Sequence, residues 1–377
     1  MKTATKRSSL FNLVAFLGDI AVGLNIISIP LLAIKQNATP FVLGFIGFLA
    51  SLIYLIFSPI FGTLSERKDP FYFTVAGTLL FAFAGIFILF FHTIPLIFLA
   101  MGIFGLATSM LWSPLEVWIA RTTENLKLAV SYYNLSWCIG LSIGTLLSGY
   151  LFQLNWRFPF IALSLTNLLI IVILLLCPRV PPPSVVEGYG EEDGKTSPFV
   201  IVGWTANFIA WFTIGVLRYL FPKLAVGLDI SPSTIGALNF LMGISIASSS
   251  YGIGYLPKLH YRLSFLISIQ LLMMIGFLIV YLTSSVPLFY LSFFLFGFSI
   301  GVAYFYSLFH SLESEEGQGK KSGIHESIVG AGGLLGPLTG GALAQKTNIR
   351  MPFILCIAVL LLGILFEIVY FRRASKR

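Results

Sequence analysis

The chain has 377 residues, of which 57% are hydrophobic and 15% aromatic, with a mean hydropathy of +0.93. Lys and Arg number 23 and Asp and Glu 15, so 10% of side chains are charged, against about 25% in a soluble domain. Too little polar surface exists to cover a water-soluble globule, and the pattern is not that of a disordered, collagenous or coiled-coil chain. An integral membrane protein remains, and long apolar stretches in place of alternating ones favour helices over a barrel.

Twelve apolar runs are long enough to cross a bilayer as helices, which takes about 20 residues each. They are predicted at 10–34, 41–61, 71–91, 94–119, 128–152, 158–177, 199–221, 232–256, 263–282, 286–309, 322–344 and 351–371. Most connections are short. The exception, 178–198, reads PRVPPPSVVEGYGEEDGKTSP and separates six spans from six, as a linker between two bundles would. The expected domains are therefore 1–177, the linker 178–198, and 199–377.

Alternating the loops between two sides puts 17 of the 23 basic residues on the side of the termini and the linker. Five fall on the other side (Lys35, Arg157, Lys223, Lys346 and Arg350), and Arg218 lies within a span. The positive-inside rule then places both termini in the cytoplasm of a multi-pass plasma or inner membrane protein. The same placement explains the net charge of +8 without a nucleic-acid partner. The first apolar run is too long for a cleavable signal peptide. Three cysteines, Cys138, Cys177 and Cys356, give no disulfide framework. The four histidines are scattered without metal-ligand spacing, so neither a metal nor a cofactor is expected.

The halves repeat at an offset of 192. Pro30, Pro40, Gly44, Gly62, Pro95 and Gly105 meet Pro222, Pro232, Gly236, Gly254, Pro287 and Gly297. Gly140, Gly144 and Gly149 meet Gly332, Gly336 and Gly341, and NWRFPF (155–160) matches NIRMPF (348–353) with one residue inserted. Gly and Pro have backbone roles that are hard to replace, so their shared positions indicate two similar six-helix units. Parallel repeats of this kind are expected to hold a solute near the midplane and to rock about it.

With two six-span repeats joined by a linker, the chain resembles the major facilitator superfamily over essentially its whole length. The resemblance implies an all-α membrane protein of twelve transmembrane helices in two pseudo-symmetric six-helix bundles. The superfamily's loop between its second and third helices has the pattern G-x-L-x-D-R-x-G-R/K. Here GTLSERKDP supplies Gly62, Leu64 and Arg67, with Glu66 in place of Asp and Asp69 in place of Gly. In the family this loop latches onto the start of the eleventh helix. Glu66 is expected there in the outward-facing state, near Lys320 and Lys321 and a favourable helix dipole; a generic charged loop is the alternative. The glycine motif of the superfamily's exporters, G-x8-G-x3-G-P-x2-G-G, is matched by Gly323, Gly332, Gly336, Pro337, Gly340 and Gly341. It falls on the eleventh span, where exporters carry it on the fifth. Helix packing through small residues is the rival reading.

Polar groups inside the membrane are costly: a carboxylate at mid-helix costs about 2.5–3.5 kcal/mol on insertion scales. Asp19 lies nine residues past Leu10, roughly 14 Å into the first span at 1.5 Å per residue. It shares a face with Asn12, Ala15, Gly23 and Pro30. There it is a candidate to bind and release a proton or to pair with a cationic solute, a hydrogen-bonded structural carboxyl being the alternative. Asp19 aligns with Trp211 of the seventh span, and Arg218 follows on the same face. Arg218 either faces inward, toward a substrate anion or Asp19, or snorkels to the interface. Further cavity candidates are Tyr54, Ser58, Trp112, Asn134, Trp137, Asn207, Asn239 and Tyr304. At the cytoplasmic ends, Glu116 is expected either to pair with Arg67 or Arg121 in an inner gate or to be an interfacial acid among Lys and Arg. His325 and Glu326 open the eleventh span as a titrating pair or as an acid at a helix start. His310 is expected at the interface.

The leading expectation is a secondary active transporter that exports a small organic solute, by antiport with protons, as a monomer in the bilayer. Uptake or facilitated passage of a polar metabolite is the first alternative. A non-transporting receptor or scaffold is the second, and the short termini argue against it. No nucleophile–base set, metal cluster or phosphate loop points to an enzyme, and no GxxxxGK[ST] segment points to ATP hydrolysis.

Overall fold

The computed structural model describes residues 2–122, 126–176, 198–312 and 318–374. Among them are thirteen helices and no strand. In chain order these are α1 (Lys2–Lys35), α2 (Pro40–Arg67), α3 (Pro70–Phe90), α4 (Ile94–Thr122), α5 (Leu126–Leu154) and α6 (Phe158–Leu176). There follow α7 (Pro198–Val226), α8 (Pro232–Gly254), the single turn α9 (Pro257–His260), α10 (Leu263–Leu282), α11 (Val286–Leu312), α12 (Gln318–Lys346) and α13 (Met351–Ala374). The twelve long helices coincide with the twelve predicted spans. Except for Pro198, the predicted linker lies outside the described residues.

Eleven helices are long and apolar enough to cross a membrane. The twelfth, α8, has the length but is diluted by Asn239 and Ser245, Ser248, Ser249 and Ser250. Several helices outrun the apolar runs that predicted them. α1 begins at Lys2, α2 ends at Arg67 and α12 begins at Gln318, because Lys, Arg, Gln and Glu are good helix formers and hydropathy does not stop a helix. The predicted span 232–256 ends early, at Gly254, and the chain turns into α9.

The repeat is visible in the corners. Asn37 (φ 59°) and Asp229 (φ 56°), 192 residues apart, both take the left-handed conformation that Asn and Asp tolerate best among residues with a Cβ. Two residues on, Thr39 Oγ1 accepts from Val42 N at 3.4 Å and Ser231 Oγ from Thr234 N at 3.2 Å. Pro40 and Pro232 then occupy the first helical position, where a missing N–H costs nothing. Later, Asn155 Oδ1 accepts from Arg157 N and Asn348 Oδ1 from Arg350 N, both at 3.0 Å. Arg350 also closes the end of α10. Its Nη1 donates to the carbonyls of Val280, Tyr281 and Thr283 at 3.0, 2.7 and 2.7 Å, carbonyls a helix end leaves without partners.

The chain forms two compact units. One comprises Met1–Ala38, Leu49–Val186 and Asp229–Phe240; the other comprises Thr39–Phe48, Glu187–Leu228 and Leu241–Arg377. Each is held by the same glycine contacts. In the first, Gly140 and Gly144 of α5 lie on the carbonyls of Phe16 and Ile20 of α1. In the second, Gly332 and Gly336 of α12 lie on those of Phe208 and Phe212 of α7, each residue 192 positions on. Likewise Gly105 meets the Ala50 carbonyl and Gly297 that of Met242. Gly149 meets Pro232 and Gly236 within the first unit, and Gly341 meets Pro40 and Gly44 within the second. Backbones approach this closely only without a Cβ, and in lipid such packing drives helix association. Ser148 adds a bond to the Leu24 carbonyl at 2.7 Å and one with Ser28 at 2.6 Å.

Gly144→Ala and Gly336→Ala are each expected to cost about 1–3 kcal/mol, the range for overpacking. Gly252→Ala, at a helical position with open space around it, is expected to be neutral or mildly stabilising. Thermal unfolding of the purified variants in detergent distinguishes them.

Candidate functional site

In the first unit the candidates gather on α1, α4 and α5. Asp19 is buried, with 8% exposure. The Trp112 ring lies over the neighbouring Gly18. On the same face of α1, Gly23 rests on the α5 backbone at Leu141 and Thr145, so the small residues of this face serve packing as well as making room for the carboxylate. Asp19 is within electrostatic reach of Tyr133 and Cys138 of α5. Tyr133 donates a hydrogen bond to Glu116 Oε1 of α4 at 3.2 Å, and Tyr54 of α2 acts on it too. Groups able to exchange protons thus converge from four helices. Tyr133, one of 15 tyrosines, has no feature in the sequence that singles it out.

Other predicted residues of this unit are engaged locally. Trp137 Nε1 donates to Asn134 Oδ1 one turn away at 3.1 Å. Ser58 and Ser113 share a hydrogen bond at 2.5 Å between α2 and α4. Asn239 donates to its own helix at the Ile235 carbonyl, at 2.9 Å. Asn12 is half-buried. In the α2–α3 loop Asp69, which departs from the family pattern, caps α3 by accepting from Phe71 N at 2.9 Å ahead of Pro70. Glu66 and Arg67 are exposed. Gly62 has room for a Cβ, its nearest neighbour being Ser113 Cβ at 3.7 Å. The side chains of Arg121 and Lys320 and the surroundings of Gly323 lie outside the described residues; Lys321 is half-buried.

In the second unit, residues predicted separately form one cluster. His325 of α12 is fully buried. Its Nδ1 is 2.7 Å from Ser307 Oγ of α11 and 3.4 Å from Asn207 Nδ2 of α7, and the Tyr304 ring stands edge-on to it at 5.1 Å. With the Asn207 amide donating through Nδ2, Nδ1 is the acceptor and a neutral ring has its proton on Nε2. Nε2 has no hydrogen-bond partner but lies 3.8 Å from Glu326 Oε1. Asn207 Oδ1 is buried and unpartnered too. Beside them Trp204 Nε1 donates to Ser311 Oγ at 2.8 Å. Ser307, Ser311 and Trp204 were not singled out from the sequence. Farther along α7, the Arg218 guanidinium lies 5.7 Å above the Trp211 ring, as their shared helix face predicts. Gly332, Gly336, Pro337, Gly340 and Gly341 are packing residues against α7, its neighbours and the start of α2. His310, near the end of α11, is buried: its Nε2 is 3.0 Å from the His260 carbonyl and its ring stacks on Phe199.

A family model described as Major Facilitator Superfamily matches residues 11–309 and 203–377. The quinolone resistance protein NorA of Staphylococcus aureus is 23% identical over 96% of this chain and 95% of its own length. Among solved structures, a bacterial homologue of the human lysosomal transporter Spinster, inward-facing and occupied, superimposes with a TM-score of 0.80 at 13% identity, covering 98% of this chain and 97% of that one. The nucleoside transporter NupG gives 0.78 at 10% identity, with 97% and 99% coverage. The human organic anion transporter MFSD10 gives 0.71 at 15%, with 97% and 99% coverage. At these identities the structures share the fold.

His325→Leu leaves the Ser307 hydroxyl and the Asn207 amide without their acceptor and is expected to lower stability by about 1–3 kcal/mol, the range for an unsatisfied buried group. His325→Gln, whose carbonyl can accept, is expected to recover most of it. Thermal melts of both variants beside wild type check this.

Proposed function

Because the chain belongs to the Major Facilitator Superfamily, a family of membrane transporters and not of enzymes, we propose that it exports amphipathic organic molecules across the cell membrane in exchange for protons. The observation that carries the coupling is Asp19, a buried carboxyl on α1 within electrostatic reach of Tyr133. A carboxylate in that setting is expensive to keep charged, so proton uptake and release there alter the energy of the unit that holds it. Each proton moving down the membrane potential supplies about 2.3 kcal/mol per 100 mV. Tyr133 and Glu116 extend the exchangeable groups from Asp19 toward the end of α4.

Direction and substrate class rest on the likeness to the quinolone resistance protein, which runs along nearly the whole of both chains. The aromatic groups near the candidate residues, Trp112, Trp211 and Tyr304, suit an apolar, partly charged solute. A second reading, passage of a polar metabolite, is favoured by the imidazole and amide cluster of His325 and Asn207 with its unpartnered polar atoms. On either reading the chain acts by alternating access, with both termini in the cytoplasm.

In proteoliposomes with an imposed pH gradient, wild type is expected to move a fluorescent aromatic cation against its gradient. Asp19→Asn is expected to lose at least about tenfold of that gradient-driven flux, as removal of about 1.4 kcal/mol or more of coupling would do, while retaining counterflow of the same probe. Equal gradient-driven flux in the two proteins removes Asp19 from the coupling role. Transport of a nucleoside or sugar but not of the cation selects the second reading.

A further inference from the structure

Glu367 lies in the last helix, α13, inside a run that reads as uniformly apolar, MPFILCIAVLLLGILFEIVYF. Its side chain is fully buried. Gln270 of α10, 4% exposed, places Nε2 2.9 and 2.8 Å from the two carboxyl oxygens. Gln270 Oε1 is buried and has no partner.

Among the described residues no cation pairs with Glu367. Three helices pack on α13: α7, α10 and α12. The titratable groups of α7 are Arg218, Tyr219 and Lys223, and α10 has only Tyr281 near its far end. On α12 His325 is turned to Ser307 and Asn207, with Glu326 beside it; Lys321 and Lys346 lie toward the two ends of that helix. On α13 itself Arg372 and Arg373 are exposed. A carboxylate here would hold a full charge in a dry interior against one amide nitrogen, a state far costlier than a neutral acid. It would also leave the Gln270 carbonyl orphaned. The acid form removes both defects. A turn of the amide about its last bond keeps one N–H on one carboxyl oxygen and brings Oε1 to the proton on the other. The result is a closed ring of two hydrogen bonds in which each polar atom is satisfied.

We propose that Glu367 is a permanently occupied proton-binding site, a carboxylic acid locked in a ring with the Gln270 amide that ties α13 to α10. Its role differs from that proposed for Asp19. The Glu367 proton stays bound through turnover and is not part of the transported stoichiometry. Glu367→Gln conserves shape and neutrality, so it preserves the tie.

Infrared spectroscopy of the purified protein in lipid nanodiscs reads the protonation state directly, without transport. Wild type is expected to show a protonated-carboxyl C=O band that is absent from Glu367→Gln and whose intensity does not change across the neutral pH range. Gln270→Leu is expected to keep the band but move it to higher frequency, since the acid loses its partner. In proteoliposomes Glu367→Gln is expected to keep wild-type gradient-driven transport. The proposal is overturned if wild type lacks intensity relative to Glu367→Gln, if the band fades as pH rises through neutrality, or if Gln270→Leu leaves its frequency unmoved. Failure of Asp19→Asn to affect coupling would leave these spectra unchanged, so the two ideas fail separately.

Discussion

Direct contact between the backbones of neighbouring helices is the constraint on which this molecule rests. Inside a bilayer, apolar side chains gain nothing by leaving lipid for one another, so helices associate through packing and polar contacts. The chain meets this condition by setting glycine on a facing carbonyl where α5 crosses α1 and α12 crosses α7: Gly140 on Phe16, Gly144 on Ile20, Gly332 on Phe208 and Gly336 on Phe212. The first and seventh helices are correspondingly the most enclosed, with 78% and 72% of their spanning windows buried. Asp19 and Asn207, both buried polar residues, lie on these two helices.

The two units share a backbone plan but fill it with different chemistry. Where α1 carries Asp19, α7 carries Trp211; where α5 offers Asn134, α12 offers Glu326. The first unit groups a carboxyl with phenols, and the second groups an imidazole with an amide and a hydroxyl. Glycine stands at both repeat positions in the α1–α5 and α7–α12 contacts, whereas the polar positions differ between the units.

Much of the architecture was legible in the sequence because lipid imposes simple rules. Span length, the basic-residue bias and the Gly and Pro register at 192 each come from one physical demand, and the contacts of Gly44 with Gly341 and of Gly149 with Gly236 follow the same register. What escaped notice depends on tertiary neighbours. Glu367 is one acid in a long apolar run, and only the folded chain shows Gln270 opposite it. The carbonyl partners of His260 and His310, and the Phe199, Phe305 and Phe309 rings around them, likewise appear only in the folded chain. The His325 cluster draws on three helices more than a hundred residues apart at the extremes, a separation that no local pattern encodes. Charged residues prolong helices beyond their apolar parts, as at Lys2 and Arg67, which hydropathy does not register.

The exchange of short segments between the units has a consequence for biogenesis. Gly149 and Gly236 are fewer than ninety residues apart, whereas Gly44 and Gly341 are separated by nearly three hundred. Contacts that are equivalent in space are thus unequal on the ribosome. At translation speeds of about 5–20 residues per second, the start of α2 waits tens of seconds with its glycine face bare before α12 emerges. During that interval Gly44 lacks the Pro337 and Gly341 neighbours that it has in the folded chain.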